Sequence, residues 1–195
     1  MNRTWNFEKG AWQAEDFLSA ASSRVEYRLT FGQKDDCIHN EGADKMDEYA
    51  YVSMVHRTPV SLPCLLETEC SFRTYGAPLL ILADAVDTLP DGRLQYGHHI
   101  EVVGWEKGIN VWDLTPDPEA PNGQRTVNLG RFSFPIEDGA RFLLTARADR
   151  QGLVVGAEVN GRSAQFDCPC VLPEKCYVGI TACEGKNYFY RFSIR

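Results

Sequence analysis

Apolar and polar residues that alternate in short stretches, turn signals between those stretches and a near absence of helix-period segments predict an all-β chain. The expected architecture is a two-sheet antiparallel β-sandwich. The alternation is plain at Phe142, Leu144 and Ala146. It returns at Leu153, Val155, Ala157 and Val159, which lead into Asn160-Gly161, a strong hairpin signal. About 11 to 13 strands can be counted, as two packed sheets require and a small barrel does not. All-β sandwiches run to about 200 residues as one unit. The 195 residues, 44% of them hydrophobic, are therefore expected to form a single domain over 1–195 with a continuous core.

At the start of the chain, residues 1–23 mix Trp5, Phe7, Trp12, Phe17 and Leu18 with Gly10 and polar residues, which suits either a helical turn at 15–21 or a first strand laying aromatics on the sandwich edge. Over 24–31, Val25, Tyr27, Leu29 and Phe31 alternate with Arg24, Glu26, Arg28 and Thr30, the pattern of a strand with one wet face. Residues 32–48 are polar and aperiodic, a loop or lid. Strands are expected at 50–57, 64–73, 78–84 and 94–105, then a hairpin through Glu106-Lys107-Gly108 into 109–114. The Pro-rich tract 115–123 reads as a loop, because a central strand does not run through repeated prolines. Strands resume at 124–134 and 141–148.

The net charge of −7 argues against a nucleic-acid partner, which needs a basic stripe. No basic run suits an anionic membrane, and no apolar stretch approaches the roughly 20 residues of a span. The opening segment Met1-Asn2-Arg3-Thr4-Trp5-Asn6-Phe7-Glu8-Lys9 lacks the apolar region of a signal peptide, so a cytoplasmic location is expected. Seven cysteines, an odd number, then read as reduced thiols that mostly serve as small core residues. Cys168-Pro169-Cys170 with Cys176 could be weighed as a zinc site, but two Cys-x₂₋₄-Cys pairs are the usual requirement. A loop with two thiols is the plainer reading. No cofactor and no metal is expected.

The closing order is a strand, a glycine-punctuated return, an Asn-Gly turn, the strand around Val178-Gly179-Ile180-Thr181-Ala182 and the aromatic strand Tyr188-Phe189-Tyr190-Arg191-Phe192. It resembles the C-terminal half of the concanavalin A-like lectin/glucanase jelly rolls, the superfold of laminin-G modules and galectins. The resemblance covers about residues 140–195 well and the rest by pattern. It implies a jelly roll in which one sheet is concave and carries a ligand groove, and it implies carbohydrate recognition.

Strand alternation indicates which residues would face such a groove. On 94–105 one phase holds Leu94, Tyr96, His98, Ile100 and Val102, and the other Gln95, Gly97, His99, Glu101, Val103 and Trp105. Pairing across the 106–108 turn adds Asn110 and Trp112. Gln95, His99, Glu101, Trp105, Asn110 and Trp112 are therefore the expected substrate-binding set. Sugars present patches of C–H bonds to an indole face and hydroxyls to amide, carboxylate and imidazole groups. The alternative is that loops bury both phases and the tryptophans are packing residues. Galectins use a His, Asn, Arg, Trp and Glu set, of which Trp105-Glu106 is only a fragment.

Paired carboxylates are the second candidate. Glu67 and Glu69 are two apart on a strand, about 6.7 Å along it. Glucanases of the resembling superfold use Glu-x-Asp-x-Glu; here Glu67-Thr68-Glu69-Cys70-Ser71 lacks the third acid. If catalytic, Glu67 would be the nucleophile and Glu69 the acid/base; otherwise the pair is a solvated strand face. His98 reads as a satisfied core or edge histidine, His56 as the partner of a carboxylate, and His39 as part of an acidic loop that is either solvated or holds a divalent ion. The expected function is a carbohydrate-recognising module that binds an oligosaccharide. The alternative is a glycoside hydrolase or lyase acting on a plant or bacterial oligosaccharide in the same groove. A homodimer through the exposed aromatics is a third expectation.

Overall fold

The computed structural model describes residues 2–23, 25, 30–40 and 51–195. Among them the chain forms eighteen strands: β1 (Arg3–Asn6), β2 (Phe17–Leu18), β3 (Gly32–Gln33), β4 (Ile38–His39), β5 (Val52–His56), β6 (Val60–Ser61), β7 (Cys64–Arg73), β8 (Ala77–Ala83), β9 (Val86–Thr88), β10 (Leu94–Tyr96), β11 (His99–Trp105), β12 (Gly108–Pro116), β13 (Gln124–Ser133), β14 (Phe142–Asp149), β15 (Gly152–Val159), β16 (Arg162–Pro169), β17 (Lys175–Cys183) and β18 (Lys186–Ile194). Sheet I has the order β13-β12-β11-β8-β17-β5-β2, and sheet II the order β16-β15-β14-β7-β18-β4-β3 with β1 also on β18. The pairings are antiparallel, as expected for an all-β sandwich.

Alternation places the core between the sheets. Leu80, Leu82, Ile100, Val102, Ile109, Val111, Val178 and Ile180 face it from sheet I; Leu66, Phe72, Leu144, Val155, Phe189 and Phe192 face it from sheet II. Each large side chain so buried is worth roughly 1.5–3 kcal/mol. All seven residues of β8 are buried, on both faces. Its second phase, Leu79, Ile81 and Ala83, joins Val55, Tyr96 and Ala20 in a separate apolar cluster on the outer side of sheet I. One half of that outer face is thus dry, and the other half, over β11 and β12, is left for a site.

Several expectations are adjusted. The single strand at 94–105 is broken, because the backbone leaves the sheet at Gly97: its N–H donates to Ala85 O (3.1 Å), and His98 O accepts from Asp84 N–H (2.9 Å). A Cβ at position 97 would sit 2.5 Å from Asp84 Oδ1. β10 consequently pairs with β9 in a ribbon of its own. The first segment combines both alternatives, with a short 3-10 turn at Ala14–Asp16 and with β1 laying Trp5 against Phe192. The strand expected at 24–31 falls largely outside the described residues, as does 41–48 of the expected loop; its other part forms the β3–β4 pair. β12 extends to Pro116 before the Pro-rich tract turns.

The chain crosses between sheets twice at one corner, at the β7–β8 turn and the β17–β18 turn. β8 pairs with β17 in sheet I (Ala77↔Cys183) while β7 pairs with β18 in sheet II (Arg73↔Lys186), so the two crossings lie side by side. Thr74 (φ +54°), Tyr75 (φ +62°), Glu184 (φ +55°) and Gly185 (φ +39°) are all left-handed. A Cβ on Gly185 would overlap Thr74 O and Gly76 N, and one on Gly76 would overlap Lys186 O. Asn187, fully buried, donates to Glu184 O (2.7 Å), and its backbone N–H donates to Asn40 Oδ1 (2.7 Å). Gly185→Ala should lower folding stability by roughly 2–4 kcal/mol, read as a fall in the urea midpoint at unchanged m-value.

All seven cysteines are free thiols. Cys168 and Cys176 belong to the core, with Cys170 packed against it. Burial pushes the Cys176 thiol up to about 12, with Cys64 nearby adding to the effect, and pushes Cys64 itself to about 11. The unfolded chain releases these protons near the ordinary thiol value of 9.0, whereas the fold holds them. The stabilisation is therefore complete below pH 9 and is lost as the pH climbs from about 9 toward 12. Urea titrations should give a lower midpoint at pH 10 than at pH 8, with a smaller difference in Cys176→Ala.

Candidate functional site

The β11–β12 hairpin builds one wall of a cleft. Gly108 (φ +139°) closes the turn where a Cβ would overlap Phe132 O of β13. The resulting register sets Glu101 opposite Trp112, Val103 opposite Asn110 and Trp105 opposite Gly108. β13 carries an extra residue beside the Val111–Trp112 step, so Asn128 faces Trp112 and Gly130 faces Val111. Leu79 from β8 and Thr126 from β13 flank this wall. The opposite rim comes from the double crossing: Tyr75 and Gly76 of one turn, Cys183 and Glu184 of the other. Together they enclose about 370 Å³, at the lower end of the range for small-molecule sites.

Beneath the cleft lies a buried polar network. Tyr51 donates its O–H to Glu101 Oε1 (3.1 Å), and His99 Nε2 lies 3.9 Å from the same oxygen. His99 Nδ1 is 2.8 Å from Gly97 O, an N–H donation that fixes the ring, and the ring rests on Tyr96, 5.3 Å between centroids. Ser53 Oγ bridges Tyr96 Oη (2.6 Å) and Thr181 Oγ1 (2.5 Å). Two polar atoms of the wall stand above this floor. Trp105 Nε1 and Asn110 Oδ1 are shielded from solvent and have no hydrogen-bond partner among the described residues. Such a group costs roughly 1–3 kcal/mol while it stays unpaired. The indoles of Trp5 and Trp12, by contrast, donate to Asp16 Oδ2 and Gln33 Oε1, each at 2.8 Å.

Four of the six residues expected on the ligand face, Glu101, Trp105, Asn110 and Trp112, line this cleft together. Trp105 and Trp112 are half-buried, so they are not core residues. The structure does not bring the other two to it. His99 is 0% exposed and works under the floor. Gln95 sits on the β9–β10 ribbon opposite Asp87, because the break at Gly97 ends the continuous alternation that would have aligned it with β11.

Glu67 and Glu69 are also placed apart from the cleft. β7 belongs to sheet II, and since Leu66, Thr68 and Cys70 are fully buried, the two glutamates face outward from the opposite side of the sandwich. Glu67 is bound by Arg195 and accepts from Ser193 Oγ (3.2 Å). Glu69 is 3.5 Å from Arg141, whose guanidinium stacks on Tyr190 (3.4 Å to the centroid). One groove shared by Glu67, Glu69, Glu101 and His99 is thus corrected to two separate surfaces. His98 is satisfied by Asp113 (2.9 Å). His56 turns to Thr58 O (2.7 Å) and Arg3 rather than to a carboxylate.

Tyr75, Glu106 and Glu184 escape the strand-by-strand reading. Gly76-Ala77-Pro78 and Glu184-Gly185 are legible as turns, but only the sheet order brings the two turns to the same rim.

In sequence, no family model and no curated protein matches the chain. Similarity of structure is extensive. The carbohydrate binding module CBM66 from Bacillus subtilis superposes with a TM-score of 0.60 at 11% identity, over 89% of this chain and 91% of that one. β-Agarase A in complex with oligoagarose gives 0.61 at 7% identity, over 99% and 88%. Lectin UEA-II complexed with galactose gives 0.58 at 9% identity, over 100% and 97%. The fold is the concanavalin A-like jelly roll. At these identities the likeness concerns the fold, and the chemistry of the site rests on this chain's own residues.

Thr74 and Tyr75 occupy the left-handed region without being glycine, at about 1–2 kcal/mol each. Tyr75 is 78% exposed, so packing of its ring does not compensate. Tyr75→Gly should therefore raise folding stability by about 1 kcal/mol, seen as a higher urea midpoint.

Proposed function

We propose that this chain is a carbohydrate-recognising module that binds an oligosaccharide in the sheet I cleft. The observation that carries the reading is the unpartnered, buried indole N–H of Trp105, in a wall that also presents Trp112 and Asn110. Buried Trp N–H groups normally find a partner, and Trp5 and Trp12 do so within the chain. A sugar supplies what Trp105 lacks: a ring or hydroxyl oxygen to accept, and a C–H face to lie on the indoles. Neighbours in fold that are named as a carbohydrate binding module, a galactose-bound lectin and an oligoagarose-bound agarase support the same reading.

A glycoside hydrolase or lyase acting in the same cleft is the second reading, and one observation favours it: Glu101 is buried beside His99 and held by Tyr51, as a positioned acid or base would be. Shorter products from a panel of plant and bacterial oligosaccharides, lost in Glu101→Gln, would decide for it. Seven free thiols suit a reducing, cytoplasmic setting.

The test of binding is intrinsic tryptophan fluorescence titrated with oligosaccharides. Trp112→Ala should weaken binding at least about tenfold, by loss of the stacking face, while circular dichroism shows the strand content unchanged. Undiminished affinity in that variant would remove the cleft as the site.

A further inference from the structure

We propose that the ligand of the sheet I cleft carries a protonated amine on a hydroxyl-rich ring, an amino sugar with a free ammonium rather than a neutral, N-acylated or acidic saccharide. The inference rests on the saccharide reading and narrows it.

Three carboxylates, Glu101, Glu106 and Glu184, line the cleft, and among the described residues no Lys or Arg does. Glu101 already accepts from Tyr51 at the floor. Glu106 and Glu184 are exposed at the two rims. Asn110 adds a neutral acceptor to these charges. Its side chain is more than nine-tenths buried and lines the cleft, and its Oδ1 is an acceptor without a donor among the described residues. The aromatic faces of Trp105, Trp112 and Tyr75 also attract cations through their ring quadrupoles.

The chain contains an internal example of the contact. Lys107 sets its ammonium 3.8 Å from Glu106 and 5.3 Å from the centre of the Trp105 ring, just outside the lining of the cleft. A ligand ammonium deeper in would find the same combination of carboxylate and indole, with Asn110 Oδ1 as a further acceptor once the amide turns toward it. The ring oxygen or a hydroxyl of the same sugar would then take the Trp105 N–H. A uronic or sulfated sugar would instead bring its negative charge to three carboxylates on a chain of net charge −7.

The test is titration calorimetry at pH 6.5 and low salt with glucosamine oligosaccharides of two to four units, their N-acetylated and neutral gluco counterparts, glucuronate oligomers, and spermidine as an amine without a ring. The glucosamine series should bind about tenfold more tightly than the neutral series of equal length, and 0.5 M salt should shrink the difference. In the Glu106→Gln, Glu184→Gln double variant the two series should come within about twofold of each other. Neutral or acidic sugars binding as well as amino sugars would overturn this inference and leave the saccharide reading standing. Spermidine binding as tightly as the amino sugars would overturn it too, since the ring would then contribute nothing. A folded protein that binds no member of any series would remove both readings.

Discussion

The corner where the chain passes twice between the sheets is the constraint on which the rest of the structure depends. Two antiparallel crossings can share one corner only if their backbones come closer than side chains permit, which is why Gly76 and Gly185 face each other's neighbours with no room for a Cβ. The closeness fixes β8 against β17 and β7 against β18 together, so a slip at the corner would misregister the central strands of both sheets. Asn187 ties this arrangement to Asn40 through its backbone N–H, and Asn40 returns a side-chain bond to Gly185 O. The corner therefore sets the register of the core and also the position of Tyr75 and Glu184, the far rim of the cleft.

That dual role explains an otherwise unfavourable choice of residues. A left-handed two-residue turn is most comfortable with Asn-Gly, as at Asn160-Gly161, where a Cβ on the glycine would meet nothing. At the crossing the chain places Thr74 and Tyr75 in the same conformation and leaves the tyrosine ring largely in solvent. Asp138 accepts from the Thr74 N–H (3.2 Å), but nothing comparable comes from the exposed Tyr75 ring, and left-handed residues other than glycine are of the kind that collects at functional sites. The core demands a tight turn at this point. It does not demand a tyrosine.

The sandwich is legible in the sequence because its signals are local. β7 matches the expected strand, and Asn160-Gly161 closes a hairpin as its type requires. The β11–β12 face is legible for the same reason: period-two alternation and a short turn suffice to set Glu101, Trp105, Asn110 and Trp112 side by side. Whatever depends on which strands neighbour one another stays hidden. The alternation of β7 reveals that Glu67 and Glu69 share a face, yet not that the face belongs to the sheet opposite the cleft. Alternation through 94–105 continues in the letters while the backbone breaks at Gly97, so the letters align Gln95 with residues it does not accompany. His99 reads as exposed because its neighbours on the strand suggest so, whereas Tyr96 folds back over it.

The division of sheet I into a dry half and an open half gives the cleft its physical character. On the dry side, Leu79, Ile81 and Val55 are covered by Tyr96 and Ala20, and the polar groups there, Ser53 and Thr181, satisfy one another. This support ends at β11, where Glu101 and His99 are the last members of the bonded floor. Beyond it, Trp105 and Asn110 stand on the same regular hairpin, held by the same ladder, but with polar atoms unpaired among the described residues. The hairpin backbone is pinned on both sides by β8 and β13, so any movement that pairs those atoms is left to the side chains. A ligand that pairs them has to turn the side chains that shield them, but it meets a backbone wall already fixed in place, so the ordering that binding costs is confined to a few rotamers.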